Sequence, residues 1–99
     1  DSKISATVQS DRIIIDVSGY LDWQDRDALR TVLIQSLAST RSIVIHCESL
    51  TYIDSAVLGS FVQMKRITHQ RGIILSFQGM SCRIHRLMEL NNIKGFLMR

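Results

Sequence analysis

Asp54 and Ser55 are the adjacent side chains whose position in this sequence is best suited to chemistry. A short apolar segment precedes them and an amphipathic one follows, so we expect Ser55 at the start of a helix. Backbone N–H groups lack partners there, and the helix dipole favours negative charge. A phosphate on Ser55 would be accommodated without a change of fold and would add about −1.5 to −2 charges at neutral pH. Either side chain could instead serve only as a helix cap, and Asp54 could also recognise a partner.

The remaining reactive residues do not form a known catalytic or metal-binding pattern. His46, His69 and His85 lack metal-ligand spacing, and no cluster of Asp and Glu joins them. A Ser-His-Asp triad is conceivable from the residue types, but the Gly-x-Ser-x-Gly pattern of a nucleophile elbow is absent. The sequence also lacks the Gly-rich loops that bind nucleotides. We therefore predict a protein that is not an enzyme and that needs no metal or cofactor.

The composition is that of a small globular protein. The chain has 99 residues, of which 45% are hydrophobic, so we predict a single domain over residues 1–99. No apolar run is long enough to cross a bilayer and no signal pattern opens the chain, so we expect a cytoplasmic protein without direct membrane insertion. The net charge of +3 comes from scattered basic residues with few aromatic neighbours, which argues against nucleic-acid binding.

Alternating strand and helix patterns should position these side chains. Residues 12–18 are rich in Ile, and apolar residues recur at helical spacing between Leu29 and Leu37. We predict strands at 3–9 and 12–18, a break at Gly19 to Asp22, a helix at 23–39, a strand at 42–47, a loop at 48–51, a helix from 55 to 69 or 70, a strand at 73–77, a helix from Ser81 to the Asn91-Asn92 pair, and a strand at 95–98. This β-β-α-β-α-β-α-β order predicts a small mixed, mainly parallel sheet with an N-terminal hairpin and helices packed against it.

Asp22 and Trp23 lie where the second predicted strand gives way to the first helix. The loops that contain Asp22 and Ser55 both follow strand C-termini, so they should share one edge of the sheet, where open α/β sheets bind ligands. Asp22 is either a helix cap or a contact residue. Trp23 is either a packing residue or an exposed interface anchor, because Trp is enriched in binding hot spots.

The helix after Ser55 is more apolar than a single sheet-facing stripe requires. Its apolar residues span more than half of its circumference, so we expect some of them to be exposed beside Ser55 as a docking surface. They are Ala56, Val57, Leu58, Phe61, Val62, Met64 and Ile67. The predicted partner-binding set is Asp22, Trp23, Asp54, Ser55, Ala56, Val57, Ser60 and Met64.

Three segments, in order along the chain, resemble the STAS family, which includes the anti-sigma factor antagonists. The first is Gly19-Tyr20-Leu21-Asp22, which is similar to the family's Gly-x-Leu-Asp loop. The second is Leu50 to Gly59, with its Asp-Ser pair at the start of a helix, and the third is Ser81 to Ile93. The family usually continues the Asp-Ser pair with Ser-Gly-Leu-Gly, whereas this chain has Ala56-Val57-Leu58-Gly59.

The resemblance implies a regulatory cycle centred on Ser55, the serine that follows the Asp. A serine kinase of the histidine-kinase-like ATPase type, which is also the anti-sigma-type partner, would phosphorylate Ser55. A metal-dependent serine phosphatase would remove the phosphate, and only the unphosphorylated protein would bind the partner. STAS domains also serve as parts of membrane transport complexes, so a binding module without phosphorylation is the alternative.

Overall fold

A computed structural model describes residues 3–99 and arranges them around a four-stranded sheet. The elements are β1 (Ile4–Gln9), β2 (Arg12–Leu21), a 3₁₀ turn (Trp23–Asp25), α1 (Arg26–Leu37), β3 (Ser42–Ile53), α2 (Ser55–Gln70), β4 (Ile74–Gln78), α3 (Cys82–Leu90) and α4 (Lys94–Leu97). The strand order is β1-β2-β3-β4, with β1 antiparallel to β2 and the other two pairs parallel. The predicted mixed, mainly parallel sheet with an N-terminal hairpin and packed helices is confirmed.

The core lies on one face of this sheet. Successive side chains of a strand point to opposite faces, so every second residue of β2 and β3 faces the helices. Ile15 and Ile45 are fully buried in this way, together with Leu29 of α1, Phe61 of α2 and Met88 of α3. Burial of such side chains stabilises the fold by about 1.5–3 kcal/mol each before conformational entropy is counted.

The predicted last strand, at 95–98, is wrong. Residues 94–97 form the short helix α4, with helical hydrogen bonds from Leu97 N to Ile93 O (2.9 Å) and from Met98 N to Lys94 O (2.9 Å). A four-residue apolar run does not distinguish a strand from a buried helical turn. Here the helical turn buries Leu97 completely against the core.

The predicted break at Gly19 and the predicted loop at 48–51 are also wrong, because β2 and β3 continue through them to Leu21 and Ile53. Two register shifts in the β2–β3 pairing accommodate the irregular sequence, and Gly19 adopts a φ of 73° beside one of them. Such bulges bend a strand without ending its pairing. The predicted helix at 23–39 begins with the 3₁₀ turn, and its α-helical part is 26–37.

Gly79, directly after β4, is a position where we expect a side chain to destabilise the protein. Its φ is 78°, and a Cβ there would lie 2.5 Å from Cδ of Glu48. Gly79→Ala should lower the free energy of unfolding by about 1–2 kcal/mol. Gly59 lies within a helix, and a Cβ there would meet no neighbour within 4 Å. Gly59→Ala should therefore raise the free energy of unfolding by about 0.5–1 kcal/mol. Urea denaturation checks both, and equal stability of the two variants would contradict the expectation.

Candidate functional site

The site lies where β2 and β3 end side by side. Leu21 is paired with Ile53, the last residues of the two strands, and Asp54 N donates a hydrogen bond to Leu21 O (3.2 Å). The next residue of each chain segment is an aspartate, Asp22 after β2 and Asp54 after β3. The prediction that the Asp22 and Ser55 loops share one edge of the sheet is therefore confirmed.

Asp54 joins the starts of two helical segments. Its Oδ1 accepts a hydrogen bond from Val57 N (2.9 Å), which caps α2. Its Oδ2 accepts one from Trp23 N (2.9 Å), at the start of the 3₁₀ turn. Hydrogen bonds from N–H groups to a carboxylate are stronger than those between neutral groups, so Asp54 fixes the positions of the two segments relative to each other. Of the two roles considered for Asp54, capping is the one that the geometry supports.

Asp22 and Asp25 form a reciprocal capping box at the 3₁₀ turn. Asp22 Oδ1 accepts a hydrogen bond from Gln24 N (2.9 Å), and Asp25 Oδ2 accepts one from Asp22 N (2.8 Å). Lys3 reaches across from before β1, and its Nζ lies 2.9 Å from Asp25 Oδ2 and donates to Tyr20 O (2.9 Å). The predicted cap at Asp22 is confirmed, and the network fixes the backbone that presents Trp23.

Asp25 should contribute to acid sensitivity. Burial raises its pKa, but the hydrogen bond from Asp22 N and the Lys3 ammonium outweigh burial and hold the pKa below the ordinary 3.8. A carboxylate with a lower pKa in the folded state stabilises the fold above its unfolded pKa, and this contribution is lost as the pH falls through the folded value. Asp25→Asn should therefore lose less stability than wild type between pH 7 and about pH 3.

Urea denaturation at the two pH values checks this expectation. Asp27→Asn is the matched control, because the Asp27 carboxylate is exposed and makes no hydrogen bond or ion pair with residues 3–99. An Asp25→Asn protein with the same acid sensitivity as wild type would show that the Asp25 network does not contribute.

Ser55 is the first residue of α2 and is exposed. The N-cap of that helix is Asp54, so the alternative that Ser55 is only a helix cap is wrong. The Ser55 hydroxyl makes no hydrogen bond within residues 3–99. Its oxygen is therefore free to react, at the positive end of the α2 dipole.

Ser55 stands on the rim of a groove between α1 and α2. The groove has a volume of about 570 Å³ and is open to solvent. Small residues of α2 leave this space, since a Cβ at Gly59 would meet no neighbouring element within 4 Å. Its floor is apolar and includes Leu29, Leu33 and Met64. Its exposed rim includes the charged residues Arg26, Asp27 and Arg30 together with Ser55.

The expectation that some apolar side chains of α2 are exposed beside Ser55 is met only in part, because Ala56, Val62 and Ile67 are half-buried and the other four are buried. Val57 and Met64, both assigned to the partner-binding set, are only 0% and 3% exposed. Within α2, all of which is described, no large apolar side chain is fully exposed. The helix packs against the sheet, α1 and α4 at once, and these contacts use the wide apolar face. Of the other predicted contacts, Ala56 and Ser60 are half-buried.

Trp23 is 60% exposed, so it is a surface residue and not a packing residue. Sequence reasoning missed a second aromatic group nearby. Tyr20 and Tyr52, from adjacent strands, meet edge to face with ring centroids 5.7 Å apart, and Arg83 lies 4.5 Å above the Tyr52 ring. Tyr20 and Tyr52 are partners in the β2–β3 register, which the misplaced strand ends concealed.

No helix within residues 3–99 is long and apolar enough to span a bilayer. Among the same residues, no group of three or more His, Cys, Asp or Glu side chains could hold a metal ion.

Comparison with known proteins agrees with the resemblance seen in the sequence. The family model described as "Mlab, STAS domain" matches residues 4–99. The anti-sigma-B factor antagonist of Staphylococcus aureus is 33% identical over 95 residues, which are 95% of this chain and 88% of that protein.

Solved structures share the fold. The phosphorylated form of the Bacillus cell fate determinant SpoIIAA superposes with a TM-score of 0.76 at 16% identity, over 97% of this chain and 88% of that one. A putative anti-sigma factor antagonist of Thermotoga maritima superposes with a TM-score of 0.84 at 15% identity, over 96% of this chain and 83% of that one. At these identities the likeness concerns the fold alone.

Proposed function

This chain belongs to the STAS domain family, and on that basis we propose that it is a partner-switching regulator controlled by reversible phosphorylation of Ser55. The observation that carries the proposal is the exposed Ser55 hydroxyl at the first turn of α2, which has no hydrogen-bond partner within residues 3–99. The proposal is also supported by the S. aureus relative, which is named an anti-sigma-B factor antagonist. The fold is shared with SpoIIAA, which has been solved in both phosphorylated and unphosphorylated forms.

In the unphosphorylated state, the protein binds an anti-sigma-type serine kinase of the histidine-kinase-like ATPase class. The partner contacts Trp23 and the surface around Ser55, including Asp22 and Ala56. Trp23 supplies the anchor, since a large exposed aromatic side chain is typical of a binding hot spot. Asp54 holds Trp23 and the first turn of α2 in position through its two hydrogen bonds, and the buried Val57 and Met64 pack in the core beneath this surface.

Phosphorylation then removes the partner. A phosphate on Ser55 adds about −1.5 to −2 charges directly beside the Asp54 carboxylate. Desolvation of this charge at an apolar surface, or its repulsion by an acidic one, costs enough to break a contact without any change of fold. A metal-dependent serine phosphatase restores the binding state.

Intact-mass spectrometry tests the proposal. The protein is incubated with ATP, Mg²⁺ and the candidate kinase, together with Ser55→Ala and Ser60→Ala variants. The Ser60 hydroxyl is a matched control because it lies one turn away, is half-buried and donates to Ala56 O (3.2 Å). We expect one added phosphate on wild type and on Ser60→Ala, and none on Ser55→Ala.

Two results would contradict the proposal. Phosphate on Ser55→Ala would place the modification elsewhere. Unmodified wild type, in the presence of a kinase that binds it and phosphorylates another substrate, would favour the alternative, a STAS binding module of a transport complex that is not phosphorylated.

A further inference from the structure

The rim of the groove beside Ser55 carries two guanidinium groups that the proposed function does not use. Arg26 and Arg30 lie four residues apart on α1, so they occupy one face of that helix, and both line the groove that Ser55 also lines. Both are exposed, and neither makes an ion pair with a residue of the described chain. The groove therefore presents two unneutralised cations and a free hydroxyl.

A short chain of hydrogen bonds links Arg26 to the residue before Ser55. Arg26 Nε donates to Trp23 O (3.3 Å), and Trp23 N donates to Asp54 Oδ2 (2.9 Å). Asp54 is the residue that precedes Ser55. The two terminal nitrogens of the Arg26 guanidinium make no hydrogen bond within residues 3–99, so they remain available to an acceptor.

We propose that Arg26 and Arg30 bind the phosphate of phosphorylated Ser55 within the same molecule, bridging the N-terminal halves of α1 and α2. This inference rests on the proposed phosphorylation of Ser55 and adds the residues that receive the phosphate. A guanidinium donates to phosphate through two parallel N–H groups, and a phosphoserine placed opposite arginines gains one to three charge-assisted hydrogen bonds. The phosphate then also fills the end of the groove beside Ser55. The phosphorylated surface therefore differs from the unphosphorylated one in shape as well as in charge.

The other charges at the rim do not cancel this attraction. Asp27 lines the same groove and would repel the phosphate. Asp54 also carries a negative charge, but each of its oxygens already accepts a backbone N–H. Two cations and the free N–H groups at the start of α2 therefore face one exposed carboxylate, Asp27, and one carboxylate that is already hydrogen-bonded.

Translational incorporation of phosphoserine at position 55 tests this inference without a kinase. ³¹P NMR follows the second ionisation of the phosphate against pH in the wild-type background, in Arg26→Gln/Arg30→Gln and in Arg86→Gln, an exposed arginine on α3. Nearby cations favour the doubly charged phosphate. We expect the titration midpoint to lie at lower pH in wild type and Arg86→Gln than in the double variant. A phosphopeptide of residues 50–60 gives the value without α1.

The inference is overturned if wild type titrates like the phosphopeptide, or if the double variant keeps the wild-type midpoint. Circular dichroism confirms the fold of each protein, and Arg30→Gln alone provides the comparison if Arg26→Gln disturbs the start of α1. Because phosphoserine is installed during translation, a negative result here leaves the kinase experiment untouched. A negative kinase result likewise leaves this titration interpretable.

Discussion

Replacing Ser55 with aspartate is expected to weaken binding of the kinase partner by about 100-fold or more while leaving the fold unchanged. A 100-fold loss corresponds to about 2.7 kcal/mol, and unfavourable charge juxtaposition at an interface costs several kcal/mol. The fold should survive because Ser55 is exposed, its hydroxyl makes no hydrogen bond within residues 3–99, and it lies at a helix start that favours negative charge. Isothermal titration calorimetry of Ser55→Asp with the partner measures the effect.

Two variants separate the position of the charge from its presence. Ser55→Ala removes the hydroxyl without adding charge and should bind within a few-fold of wild type. Ser10→Asp adds the same charge in the β1–β2 turn, where Ser10 has a φ of 60° that Asp tolerates. That turn lies at the opposite end of β2 from the site. Ser10→Asp should therefore bind the partner as tightly as wild type does. Wild-type affinity for Ser55→Asp would contradict the role of this position.

Replacing Asp54 with alanine is expected to cause the largest loss of stability among the site variants, about 2–3 kcal/mol. The change removes the cap of α2 and the acceptor for Trp23 N together. Loss of an N-cap costs about 0.5–2 kcal/mol, and a hydrogen bond to a charged group contributes about 1.5–3 kcal/mol. Because Asp54 is half-buried and water partly replaces it, the sum falls below the upper limits.

Urea denaturation at neutral pH measures the loss, with Asp27→Ala as the matched control. Asp27 is an exposed carboxylate at the start of α1 without a hydrogen bond in the described chain, so its removal should change the stability by less than about 0.5 kcal/mol. If Asp54→Ala were as stable as Asp27→Ala, Asp54 would not be the residue that joins the two segments. Its proposed role at the site would then be confined to recognition.

The local features of the site could be predicted from the sequence. Asp22 and Asp54 directly follow apolar strand segments, and an aspartate at such a boundary is a strong helix-start signal. The placement of both at one edge follows from the alternation of strands and helices, which brings strand C-termini together. These inferences needed only short-range pattern and topology, and the structure confirms both.

Features that depend on several structural elements at once could not be predicted from the sequence. The apolar face of α2 is equally consistent with a docking surface and with packing on three sides, and only the positions of α1 and α4 show that Val57 and Met64 are buried. The strand ends were misplaced because bulges tolerate Gly19 and polar residues inside long strands. The groove beside Ser55 depends on the distance between two helices, which no spacing along one chain segment encodes.

The central claim is that a phosphate on Ser55 switches partner binding, and one titration series tests it most directly. The same protein preparation is titrated into the kinase partner before phosphorylation, after phosphorylation, and after phosphatase treatment, with the modified residue identified by mass. The account predicts binding in the first and third titrations and loss of binding in the second. Equal affinity in all three states, with Ser55 fully phosphorylated in the second, would contradict it.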